Sequence, residues 1–402
     1  MGTSGLPNRL LHWFAFFVAC SVLVLICSGG LVTSHEAGMA VPDWPNSFGY
    51  SMFLFPVSRW VGGVFFEHTH RLIASGVGLL TLVLCGLVLV IEQRRWVKWL
   101  AGTAVFTVII QGVLGGLRVT EHNALLGLFH GCLAQSFFCL TATISLVTSK
   151  FWSEIRAAAN SDSIRRLRSW TIGITIMVFI QLVLGASMRH SHAGLSIPDF
   201  PTVYGGILPP VDAGSIAAIN EVRVSTQAQR PISAGLILLQ YVHRIWAAVI
   251  VISLASVALG MIRQCQLAKG IRSAAGFWLI LVLVQFALGA WTVWSNKAAD
   301  VATAHVFVGA LILVTGVLLS VTLSAIAARS TGSQNNWADA KQKSHRRERT
   351  YRQIATNQIS RGGWASYPPL GIGRVGTVQG ENHLHGADYY SGGFSARLAR
   401  PA

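Results

Sequence analysis

Apolar residues along this chain run in long blocks, with polar residues gathered between them. Eight blocks stand out, at approximately 12–34, 67–93, 99–119, 123–148, 169–188, 235–262, 273–294 and 301–327. Crossing a bilayer takes about 20 consecutive apolar residues, and each block reaches that length. Lipid offers backbone N–H and C=O groups no partner, so a spanning block must be helical. The pattern therefore predicts an all-α integral membrane protein with eight transmembrane helices. Composition agrees, since charged residues are 11% and hydrophobic residues 52% of the chain, against roughly a quarter charged in a soluble chain.

A formal charge of +16 would suggest nucleic acid if it were spread over one surface. It is not. Lys and Arg gather in the N-terminus and the connections 94–98, 149–168 and 263–272, and are sparse in 35–66, 119–122, 189–234 and 295–300. That asymmetry is the positive-inside signal; it predicts both termini in the cytoplasm and no nucleic-acid partner, with membrane lipid as the surrounding phase. The first block is too long for a signal-peptide core and reads as a retained helix. No Arg/Ser-rich presequence precedes it, which favours a bacterial plasma (inner) membrane. Cys20, Cys27, Cys85, Cys132 and Cys139 fall inside blocks and Cys265 near a cytoplasmic helix end, so none is placed to form a disulfide in an outer loop. The tail 329–402 is basic and rich in Gly, Arg, Gln and Asn; it is expected to be disordered, with His345, His383 and His385 chemically idle.

The chain repeats itself. Ala37-Gly38-Met39-Ala40-Val41-Pro42-Asp43-Trp44-Pro45 aligns with Ala193-Gly194-Leu195-Ser196-Ile197-Pro198-Asp199-Phe200-Pro201, and Glu67-His68-Thr69-His70-Arg71 with Gln240-Tyr241-Val242-His243-Arg244. His130 and His305 open the last helix of each copy. A further echo, QxxLG plus a small residue, closes the odd-numbered helices at Gln111–Gly116, Gln181–Ala186 and Gln285–Ala290, with a degenerate version at Ser28-Gly29-Gly30. Small residues there allow close approach of a second helix or of a flat ligand. Four crossings return the chain to its starting side, so the two copies are parallel repeats. The expected architecture is two pseudo-symmetric four-helix bundles in tandem, 1–150 and 151–328, followed by the tail. The second outer loop is longer, and its extra segment around 205–234, with Pro209-Pro210, reads as an irregular insertion.

Ionisable groups inside membrane helices are expensive and mark function by default. His70, His130, His243 and His305 each fall near the outer start of an inward-running helix. Each half then presents two imidazoles from two helices, the arrangement that clamps a haem iron from both axial sides within a bundle. Zinc would need three or four ligands at one point. His68 lies roughly 200° around the helix from His70; His70 is preferred because His243 is its counterpart. His35, His122, His190 and His192 sit at loop edges and are not expected to be ligands.

Arg71 and Arg244 directly follow two of the ligands. A guanidinium there suits a haem propionate, or it snorkels to the headgroups. Glu67 breaks the symmetry, since its counterpart Gln240 exchanges no proton. It reads as a general acid/base in one half only, or as a carboxylate stabilised at a helix N-terminus.

In order and spacing, Glu67–Arg71, His130, His243–Arg244 and His305 resemble the haem A synthase family over roughly residues 10–327. The tail has no counterpart in that pattern, and residues 35–66 lack the cysteine pair some members carry. The resemblance implies an oxidoreductase that converts a ring methyl of haem O to the formyl group of haem A for terminal oxidases. By motif, His70 and His130 would flank the haem O substrate with Glu67 as catalytic acid/base, and His243 and His305 would ligate a resident haem b that relays electrons. Haem O synthase and terminal-oxidase assembly factors are the partners it implies. Two non-synthase readings stand beside it: a two-haem b-type electron-transfer cytochrome, and a haem transporter or chaperone.

Overall fold

A computed structural model describes residues 8–121, 123–155, 161–225, 230–264 and 267–360. The chain forms two compact units, Met1–Ala338 and Asp339–Ala402. The first is built from α1 (Arg9–Ser34), α2 (Gly63–Ile91), α3 (Arg95–Thr120), α4 (Ala124–Thr148), the short α5 (Lys150–Glu154), α6 (Ser161–His190), α7 (Ala213–Ser225), α8 (Ala234–Arg263), α9 (Lys269–Trp294) and the membrane-spanning part of α10 (Ala299–Ser360). Eight of these are long and apolar enough to cross a membrane, at the positions the sequence blocks predict. Among the described residues there is no strand beyond two isolated bridges, Ser47–Tyr50 and Val203–Gly206.

Local chemistry fixes where the helices begin. The Asn8 side chain accepts from the Leu11 N–H, and the Asn123 side chain accepts from the Leu125 N–H, each satisfying a donor that a helix start leaves orphaned. In the first half, α1 packs on α2 and α4, and α3 packs on the same two helices. In the second, α8 packs on α6 and α9. The indole of Trp278 on α9 is fully buried and donates to the Ile312 carbonyl of α10 at 2.9 Å. Gly316 makes that approach feasible, because a Cβ there would stand 3.0 Å from the Trp278 ring. Contacts of α4 with α6, and of Gly30 on α1 with Thr303 on α10, join the halves.

The two outer loops are copies of one another in three dimensions. Phe48 and Tyr204 share a left-handed backbone (φ 51° and 52°), as do Gly49 and Gly205 (φ 77° and 76°), and Trp44-Pro45 and Phe200-Pro201 are both cis. Asp43 accepts from the Phe48 and Gly49 N–H groups, and Asp199 from those of Tyr204 and Gly205. Each carboxylate thereby satisfies the exposed donors of a tight turn, which is why Asp recurs at this position. Apolar side chains on the loops face outward, with Ile207 85% and Leu54 77% exposed.

Two expectations are corrected. The insertion around 205–234 is not irregular: α7 occupies Ala213–Ser225. Asp212 accepts from the Ser215 N–H, Ile216 and Ile219 pack against Ile197, Val203, Ile232 and Ile237, and Asn220 exchanges two hydrogen bonds with Ile232. A capping Asp and apolar residues at i and i+3 were helix signals that the preceding Pro209-Pro210 obscured. The chain also stays helical past 329, with α10 running to Ser360. That stretch is polar, but it contains no proline and carries four Gln, four Arg and three Ala between 330 and 360, all strong helix formers. His345 lies in this helix, while residues 361–402, with His383 and His385, lie outside the described residues, as do Cys265 and His122.

Burial pushes the Asp43 carboxyl up, but the Gly49 and Phe48 N–H donors and the Arg71 charge outweigh it and hold its pKa below the ordinary value. Asp199 is likewise held down, by Gly205, Thr202 and Tyr204. A depressed carboxylate contributes stability above its unfolded pKa and loses it as pH falls through the folded one. Amide hydrogen exchange in both loops should therefore be slow at neutral pH and accelerate only on acidification below the usual carboxylate range, about pH 4. D43N and D199N proteins should exchange fast at every pH.

Candidate functional site

The four helix histidines lie within the first three turns of α2, α4, α8 and α10. Each imidazole meets a glycine on a neighbouring helix. A Cβ on Gly29 of α1 would stand 3.0 Å from the His70 ring, one on Gly115 of α3 3.2 Å from His130, one on Gly185 of α6 3.2 Å from His243, and one on Gly289 of α9 3.3 Å from His305. These are the glycines of the four QxxLG echoes. Their absent side chain is space that the imidazole uses, so a motif read as close approach of a helix or of a flat ligand is a seat for a ring.

The polar residue of each echo completes the seat. Gln181 Nε2 lies 3.2 Å from the His243 ring nitrogen Nε2 and donates to the His243 carbonyl at 3.0 Å. Gln285 Nε2 lies 3.2 Å from His305 Nε2, and Gln111 Nε2 donates to the His130 carbonyl at 3.0 Å. In α1, where the glutamine is missing, Ser28 substitutes. Its hydroxyl donates to the Leu25 carbonyl at 2.9 Å, so its oxygen accepts from the Nδ1–H of His70 at 2.8 Å. That fixes the tautomer and leaves the Nε2 lone pair of His70 free, the state an iron ligand needs. His130, His243 and His305 each keep a buried ring nitrogen with no hydrogen-bond partner. His70 and His130 are close enough for their charges to interact, and so are His243 and His305. In His130, His243 and His305 the idle nitrogen is Nδ1, on the side of the seat glycine, and in His243 and His305 Nε2 faces a glutamine amide; a metal-centred ligand held between the paired rings at Nε2 would displace that amide.

Glu67 is buried (4% exposed) and so is Gln240 (2%). Glu67 Oε2 accepts from the Val41 N–H at 2.9 Å and Oε1 from Arg71 at 2.8 Å. Gln240 Oε1 accepts from the Ile197 N–H at 2.6 Å, while its Nε2 donates to the Gly194 and Ile197 carbonyls. Both side chains staple the outer loop to the helix that follows it.

Arg71 and Arg244 belong to the same staple. Arg71 donates to the carbonyls of Val41, Asp43 and Asn46, and Arg244 to those of Ile197, Asp199 and Thr202. Their terminal nitrogens are thus engaged by the chain itself. His68, set aside for lack of a counterpart, is fully buried beneath the first loop, 3.1 Å from Ser47 Oγ and packed on Phe55 and Trp60.

Sequence reasoning did not single out Arg118 and Arg189, nor His190, which it had classed as a loop-edge residue. Arg118, near the end of α3, lies over Gly38 of the first loop, with its Nε 3.2 Å from the Cβ position of Gly127 on α4; the His190 ring sits at the same glycine. Arg189 of α6 donates to the Gly30 carbonyl and to Ser34 Oγ of α1, both at 2.6 Å. Their places one helical turn beyond the seat glycines, Gly115 and Gly185, were the available signal.

Fold and site together define a multi-pass membrane protein with paired histidines seated inside its helices. The chain belongs to the COX15-CtaA family of cytochrome oxidase assembly proteins, whose model matches residues 50–317. It is similar to the heme A synthase of Geobacillus kaustophilus, 27% identical over 334 residues (80% of this chain and 93% of the relative). The heme A synthase of Geobacillus thermodenitrificans is 26% identical over the same length and shares. That of Lysinibacillus sphaericus is 29% identical over 204 residues, 49% of this chain and 64% of the relative.

Replacing Glu67 by Ala strands a buried N–H and the Arg71 guanidinium, and should destabilise the protein in detergent by about 1–3 kcal/mol. Glu67→Gln reproduces the bonding of Gln240 and should unfold at nearly the wild-type temperature. A thermal shift as large for Gln as for Ala would show that the staple needs the charge.

Proposed function

We propose that this chain is a haem A synthase, an oxidoreductase that converts a ring methyl of haem O to the formyl group of haem A for terminal oxidases. One observation carries the reading: two pairs of glycine-seated imidazoles inside membrane-spanning helices, in a chain whose family model is that of a cytochrome oxidase assembly protein. We read the helices as two tandem, pseudo-symmetric four-helix bundles, 1–150 and 151–328, with both termini cytoplasmic, in a bacterial inner membrane. Matching loop staples in the two halves support this, as does the bias of Lys and Arg toward one set of connections.

His70 and His130 would flank haem O, and His243 and His305 would ligate haem b. Bound there, haem b supplies a one-electron relay. Ser28 holds His70 with its Nε2 lone pair available; Gln181 holds the His243 backbone carbonyl, and Gln181 and Gln285 would give up their contacts with Nε2 of His243 and His305 to the iron. The reaction takes electrons and protons from the methyl carbon and adds oxygen, so a proton acceptor is needed. We assign that role to Glu67, one turn before His70 on α2; its counterpart Gln240 takes no proton. Val41 N–H and Arg71 hold that carboxylate in place. Haem O carries a long isoprenoid tail, so a site within membrane helices suits its delivery from a haem O synthase, and an oxidase assembly factor would receive the product.

The test is to extract pigment from membranes of cells expressing the chain with a supply of haem O. A formyl haem is expected. Unaltered haem would favour an electron-transfer cytochrome or a haem carrier instead.

Glu67→Gln should retain bound haem and lose conversion, with normal conversion removing Glu67 from the chemistry. His243→Ala, His305→Ala and Gly185→Leu should each abolish the tightly bound haem absorbance while circular dichroism stays helical; an unchanged spectrum in any of them would contradict the assigned ligand pair.

A further inference from the structure

Four arginines, Arg71, Arg118, Arg189 and Arg244, lie around the histidine sites at the outer end of the helices. Arg71 is neutralised by Glu67 and consumed by loop carbonyls. Glu67 is also the carboxylate whose charge reaches Arg118, but both its oxygens are already taken. No hydrogen bond of the Arg118 guanidinium is found among the described residues. Arg189 has only neutral partners, Gly30 O and Ser34 Oγ. Arg118 and Arg189 lie close enough to act on one another electrostatically. Cations held together at the ends of membrane helices with no carboxylate bonded to either are costly, so an anion from outside the chain should complete them.

Their positions say what it is attached to. Arg118 follows Gly115, the seat of His130, by one turn, and Arg189 follows Gly185, the seat of His243, by one turn. Arg118 is near enough to His70 and His130 for its charge to act on both, and Arg189 acts in the same way on His305. Neither has a counterpart in the other half: the repeat puts Thr292 opposite Arg118 and Thr33 opposite Arg189. Each half has thus acquired one guanidinium by a different route, at the outer edge of its own histidine pair and on the side facing the other half.

We propose that Arg118 and Arg189 are the carboxylate seats of the two sites, each pairing with the propionate edge of the porphyrin held by the neighbouring histidines. Arg71 and Arg244, bound up in the loops, are not. The inference rests on the haem reading above and deepens it. Both porphyrins then lie with their carboxylates outward and toward the boundary between the halves. A bidentate guanidinium–carboxylate pair is the geometry arginine is suited to.

The test uses the purified full-length protein in detergent, depleted of haem and titrated with haemin or haemin dimethyl ester, with binding read from the Soret band. Wild type should bind the diacid about ten- to a hundredfold more tightly than the diester, the range of roughly 1.4–2.8 kcal/mol. Arg189→Gln should bind the diacid as weakly as wild type binds the diester, and Arg189→Lys should recover part of the preference. Arg118→Gln should do the same for the second equivalent of haem. Arg244→Gln should leave the preference intact. Equal affinity of wild type for diacid and diester would overturn the proposal without any mutation, as would an undiminished preference in both glutamine variants. Failure of wild type to bind haem through His243 and His305 at all would instead bring down the haem reading itself, and the proposal with it.

Discussion

An imidazole inside a hydrocarbon slab must be given both room and a partner, and the rest of this structure is arranged around that demand. Four times over, a glycine on one helix vacates the space that a histidine ring on its neighbour fills. A glutamine or serine one turn or one residue earlier holds the ring or its backbone in place. Without the glycine the ring would be driven off its position. Without the polar neighbour its orientation would be free. The requirement is local, but it fixes how close each odd-numbered span must approach the next, and so fixes the packing of the bundle.

The loop staples follow from the same demand at one remove. The helices that carry His70 and His243 begin under folded loops, and Glu67–Arg71 and Gln240–Arg244 bind those loops through backbone groups that would otherwise lack partners. Because the loop is bound to the residues flanking the histidine, the position of the ring and the fold of the loop are set together. The difference between the halves is then small in structure and large in chemistry: a carboxylate with an arginine on one side, an amide with two carbonyls on the other.

Much of this was legible in the residue pattern, and the reasons for the rest are specific. Helices were readable because lipid leaves the backbone one solution, and the histidine set because duplication repeated it in register. Arg71 and Arg244 were readable as important but not as loop clamps, since a guanidinium beside a ligand advertises charge and not the carbonyls it will find. Arg118 and Arg189 escaped notice because neither is repeated, so a search keyed to symmetry passes over them. The helix at Ala213–Ser225 and the extension to Ser360 are masked by a Pro-Pro pair and a polar composition, although capping by Asp212 and the absence of proline favour helix.

Arg189 leaves its own half to rest on the Gly30 carbonyl and Ser34 of α1, and Ser34 in turn meets Thr303 of α10. The Arg189 contact runs in one direction only: two copies of residues 1–150 would offer Thr33 where Arg189 stands, and two copies of residues 151–328 would put His190 where Ser34 accepts. The seam between the halves is therefore keyed to unlike partners.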